Sequence, residues 1–111
     1  MIKIDKLEDM VRGWFVGDFE PSALRTKEFE VGIRRYNAGD AEAAHVHRQT
    51  LEITAIMSGE ARMAGRTLVP GDIITIEPGD ATAFEALTDC VTVVVKTPSL
   101  VNDKFPVDHI D

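Results

Sequence analysis

Apolar positions in this chain recur at a period of two. In EFEVGIRRY, Phe29, Val31 and Ile33 alternate with Glu28, Glu30 and Arg34, which predicts a strand with one buried face. That parity places Arg35 on the inner face beside Ile33 and Tyr36 on the opposite one. The run Val91 to Lys96, VTVVVK, is the most β-branched in the chain and predicts a central strand. Ile73 to Ile76 predicts a short apolar one, and Met10 to Phe19 an early strand interrupted by glycines and closed by a turn at Pro21. Turn signals separate these runs: NAGD at 37–40, Ser58 with Gly59, Ala64 with Gly65, Pro70 to Asp72, and EPGD at 77–80. Short strands with regular turns, no helical period and no internal repeat predict an all-β sandwich, jelly roll or barrel.

The densest chemistry lies in GDAEAAHVHRQTLEITAIMSG, from Gly39 to Gly59. His45 and His47 are two apart, so on an extended strand both imidazoles leave the same face, and Glu52 opens the next apolar run. Two imidazoles and a carboxylate suit Fe(II), Mn(II), Ni(II) or Zn(II), and three protein ligands leave positions open for water or substrate. H-x-H alone is better read as two polar residues on a solvated strand. The glycine and glutamate spacings around it favour a ligand site.

Those spacings carry a resemblance. The pattern G-x5-H-x-H-x4-E-x6-G is met at every fixed position by Gly39, His45, His47, Glu52 and Gly59, and it resembles the first conserved motif of the cupin superfamily. The second cupin motif would fall on residues 71–86, where Gly71 and Gly79 fit. There Glu77 replaces a proline, Thr82 the third metal-binding His, and Ala86 an Asn. The resemblance implies one cupin-type jelly-roll β-barrel over residues 1–111, with 99–111 as a C-terminal tail, that pairs as a homodimer. It also implies a divalent metal held by His45, His47 and Glu52. At period two Thr82 shares its face with Phe84 and not with Glu85, which makes that side of the pocket more apolar; Asp80 or Glu85 could replace the missing His only if its turn brought it inward. Arg35 is either a cation at the pocket rim for an anionic substrate or a strand-end side chain turned to solvent, the second being preferred.

Composition narrows the partners. Nineteen acidic against 12 basic residues, with no basic block, argue against nucleic acid, and no apolar run approaches membrane-spanning length. Residues 1–10 lack the continuous apolar run of a signal peptide, and the single cysteine, Cys90, permits no internal disulfide, so a cytoplasmic location is expected. Met10, Met57 and Met63 read as core fillers, and His109 as a solvated tail residue. Three functions remain open. One is a metal-dependent small-molecule oxygenase, isomerase or decarboxylase; another is a metal-free sugar isomerase or epimerase using an imidazole base; the third is a module that holds a sugar or organic acid without chemistry.

Overall fold

The computed structural model describes residues 1–108; His109 lies outside the described residues. After a single 3₁₀ turn, Leu7–Asp9, come ten strands: β1 Trp14–Val16, β2 Glu30–Tyr36, β3 Ala41–Val46, β4 Leu51–Ser58, β5 Ala61–Met63, β6 Arg66–Leu68, β7 Ile73–Ile76, β8 Ala81–Ala86, β9 Cys90–Thr97 and β10 Phe105–Pro106. They form two antiparallel five-stranded sheets, ordered β1-β2-β9-β4-β7 and β10-β3-β8-β5-β6. Among the described residues no helix is long and apolar enough to cross a membrane.

The interior is read from the alternation along the central strands. Glu52, Thr54 and Ile56 of β4, Thr82, Phe84 and Ala86 of β8, and Cys90, Thr92 and Val94 of β9 are buried, while their neighbours are half-buried or exposed. Ile56, Met63, Leu68, Ile76, Phe84 and Cys90 belong to one apolar cluster. Along β9 the inner face passes from Cys90, in that cluster, through Thr92 and Val94 to Lys96, which lines an open cavity. One strand therefore runs from apolar core into polar site.

The parity of β2 is the reverse of the sequence expectation. Glu30, Gly32, Arg34 and Tyr36 pair with Lys96, Val94, Thr92 and Cys90, and Glu30, Arg34 and Tyr36 line the cavity. Val31, Ile33 and Arg35 take the outer face, where Arg35 is exposed and borders a shallow cleft with Leu7 and Met10. Arg35 is thus not part of the barrel pocket, and Arg34 is. The reason is that the interior beside β2 is a polar cavity, so the polar face turns inward. The apolar face is partly covered by the preceding chain, where the Ile33 N–H donates to the Gly13 carbonyl at 3.0 Å.

Two glycines are set by close approach. A Cβ on Gly32 would meet Trp14 Cε3 at 2.7 Å, so its hydrogen makes room for the indole. Gly59, between β4 and β5, has φ +76° and would place a Cβ 2.0 Å from the Asp89 carbonyl oxygen. Met63 is core, as expected, but Met57 is 59% exposed, at the bulge that shifts β4 against β9 between Ile56 and Ser58.

Candidate functional site

β3 carries a bulge between Glu42 and His45: Glu42 faces Phe84 and His45 faces Thr82, so two residues on β3 oppose one on β8. The extra residue brings Glu42 and His45 to the same cavity although their spacing is odd. His45 is 7% exposed, and its Nδ1 lies 2.9 Å from the Ala43 carbonyl. A carbonyl only accepts, so Nδ1 carries a proton, and in the neutral imidazole the lone pair is on Nε2.

His47 follows β3 directly, buried and edge-on to His45 with ring centroids 5.2 Å apart. Burial, then the nearby Lys96 and His45, lowers its pKa to about 4, so it is neutral at neutral pH. It does not line the cavity that His45 and Glu52 line. The loop after it hangs on Asp103, whose carboxylate accepts the backbone N–H groups of Arg48, Gln49 and Thr50 at 3.1, 3.0 and 2.9 Å. Beyond Asp103, β10 pairs with β3, and the Arg48 guanidinium lies 3.9 Å from the centre of the Phe105 ring.

Glu52 sits on β4 opposite Lys96, which is itself opposite Glu30, so the ammonium stands between two acidic positions. Lys96 Nζ is 4.0 Å from Glu52 Oε1 and 5.0 Å from the centre of the Trp14 ring. Glu52 Oε2 accepts the Thr54 hydroxyl at 3.2 Å. Tyr36 donates to Glu42 Oε1 at 3.0 Å, and its ring lies 4.4 Å from that of Phe84. Burial, with Glu42 alongside, pushes the phenol well above its ordinary value, so it remains a neutral donor.

A divalent ion at the sequence-derived ligands would have to displace some of these contacts. The Glu52 carboxylate is held by an ammonium and a hydroxyl, and the Thr82 hydroxyl donates to the Ala83 carbonyl at 3.2 Å. Among the described residues, no three His, Cys, Asp or Glu side chains gather closely enough to hold an ion. An ion at Glu52 would also face Lys96, a repulsion of about 4 kcal/mol per unit of its charge at 4 Å and an effective dielectric near 20. Asp80 and Glu85 are exposed and take no part.

The cavity encloses about 600 Å³, within the range of small-molecule sites. Trp14, Phe19, Met63, Phe84 and Val94 give it apolar walls. Its acids are engaged: Glu20 with Arg25, Glu30 with the Ser99 hydroxyl, Glu42 with Tyr36 and Glu52 with Lys96. The Thr92 hydroxyl, fully buried, has no hydrogen-bond partner among the described residues.

No protein-family model matches the sequence, and no curated protein sequence does. Solved structures match the fold. A conserved protein with a double-stranded β-helix domain from Klebsiella pneumoniae aligns with TM-score 0.67 and 23% identity over 90% of this chain and 88% of its own. The chain has the cupin fold. Other cupin-fold matches include a sugar phosphate isomerase of the cupin superfamily from Silicibacter pomeroyi, with TM-score 0.60 and 24% identity over 63% of this chain and 50% of its own. The DMSP lyase DddQ from Ruegeria pomeroyi aligns with TM-score 0.63 and 21% identity over 80% of this chain and 46% of its own.

Within this cupin barrel, Thr82 and Phe84 line the pocket, as the period-two reading expected. Sequence reasoning missed Arg34, Tyr36, Glu42, Thr92, Lys96 and Asp103. A signal existed for Lys96, which shares parity with Thr92, the other polar residue of VTVVVK. None existed for Glu42, whose inward direction depends on the bulge.

Proposed function

We propose that this cupin barrel binds a small organic molecule in the cavity beside His45, with the Lys96 ammonium as the resident cation at Glu52 in place of a divalent metal. The observation that carries this reading is the Lys96–Glu52 pair on facing positions of β9 and β4. The unpartnered Thr92 hydroxyl on the cavity wall supports a ligand, since a buried polar group without a partner is costly. The test is metal content. Untagged protein incubated anaerobically with Fe(II), Mn(II), Ni(II) and Zn(II) in turn, then desalted, should retain far less than one ion per chain. Retention of about one ion per chain, lost in His47→Ala, would overturn the reading and restore His45, His47 and Glu52 as metal ligands.

A second reading adds chemistry to the same pocket. His45 offers a free Nε2 lone pair and Tyr36 a neutral phenol in one cavity, a base and an acid suited to removing and returning a proton, as in isomerisation or epimerisation. Deuterium entering a bound ligand from D2O, with loss of exchange in His45→Gln, supports catalysis. Binding without exchange leaves a ligand-holding module.

The assembly we infer is a homodimer through the outer face of the β1-β2-β9-β4-β7 sheet. Ile33, Ile53, Val93 and Val95 are half-buried there and Ile73 is 68% exposed, an apolar surface that suits a second copy of itself.

A further inference from the structure

Among the cavity's cations, Arg34 is the half-buried one that makes no ion pair among the described residues. Its guanidinium carbon lies 5.7 Å from the centre of the Trp14 ring and 5.6 Å from that of Tyr36. Among the described residues it makes neither an ion pair nor a side-chain hydrogen bond, and the four acids of the cavity are committed elsewhere. Lys96 is balanced by Glu52, while Arg12 and Lys104 are exposed to water. Arg34 stands directly across from Thr92 in the β2–β9 ladder, and Thr92, whose buried hydroxyl lacks a partner, lines the same cavity. A planar cation with free donors beside a free hydroxyl is a receptor for a planar anion.

We infer that Arg34 and Thr92 form a carboxylate-binding subsite, and that the ligand of this pocket is a small monocarboxylic acid with an apolar body. One guanidinium without an ion pair matches one negative charge, and the carboxylates of Glu30, Glu42 and Glu52 in the same cavity repel a dianion such as phosphate more strongly than a monoanion. The apolar body is set by the cavity walls, namely Trp14 and Tyr36 beside the guanidinium and Phe84, Met63 and Val94 elsewhere in the lining. This inference rests on the pocket proposed above and adds the class of its ligand.

Trp14 is the sole tryptophan, and its ring faces Arg34, so occupancy of the subsite is read directly by its fluorescence. Cyclohexanecarboxylate and hexanoate should each change the emission saturably, with and without EDTA, whereas cyclohexanecarboxamide and inorganic phosphate should not. Arg34→Gln should weaken carboxylate binding about tenfold or more, Arg34→Lys should recover part of it, and the exposed Arg66→Gln should leave it unchanged. Calorimetric titration checks the affinities, and circular dichroism the folding of each variant. Equal binding by Arg34→Gln, equal binding of the amide, preference for phosphate, or no saturable response to either acid would overturn the inference. Carboxylate binding abolished by EDTA would locate the anion on a metal instead, which is failure of the metal-free reading and distinct from failure of the Arg34 assignment.

Discussion

Asp103 lies more than fifty residues along the chain from the loop it holds, and it takes all three backbone donors that follow His47. Burial by itself would raise this carboxyl, but the hydrogen bonds from Gln49, Thr50 and Arg48 outweigh it and hold the group below its ordinary value of 3.8. A folded-state value depressed below the unfolded one contributes stability that is present above pH 3.8 and lost as pH falls through the depressed value. Asp103→Asn should therefore lower stability by about 1–3 kcal/mol at pH 7, and the gap to wild type should close in acid below pH 3.8. Urea unfolding from pH 7 to pH 3 measures both, and a gap independent of pH would remove the charge from the explanation. No local pattern marks this residue, because an acid in an aperiodic tail looks the same whether it is solvated or inserted into a distant loop.

Among the elements, β7 at Ile73–Ile76 has the expected bounds, and β9 extends the expected Val91 to Lys96 by one residue at each end. Period-two patterning and turn residues are local, so strands of this kind are legible. The orientation of β2 was not. Alternation shows that two faces differ, and it assigns the apolar face to the interior only when the interior is apolar. Here the inward face carries Arg34, Tyr36 and the Gly32 that seats Trp14. Gly32→Ala should cost about 1–3 kcal/mol, because the new methyl displaces the indole, and should shift Trp14 emission. Wild-type emission and stability in that variant would show that the ring has room the packing does not suggest.

For the whole molecule, the outer face of the β1-β2-β9-β4-β7 sheet is apolar, and it includes the Val31 and Ile33 that pattern reading assigned to the interior. Val93 sits near its middle, paired with Ile33 on one side and Ala55 on the other. Light scattering should give twice the 12.2 kDa chain mass, and Val93→Glu should yield a monomer that keeps its circular dichroism spectrum. A monomeric wild type, or a dimeric Val93→Glu, would place the contact elsewhere or remove it.

The fold class, the turns, the inward pairing of Thr82 with Phe84 and the spacing of His45, His47 and Glu52 were determined by the sequence itself, since each rests on backbone geometry repeated over a few residues. What those three side chains face was decided by tertiary structure. Lys96 comes from a strand forty-four positions further along than Glu52 and meets it through strand pairing. Glu42 turns inward through one bulged residue, and Arg34 through a reversed strand face. The ligand set is written in local spacing. The ammonium beside it arrives through long-range pairing, because strand neighbours are chosen by the fold and not by position along the chain.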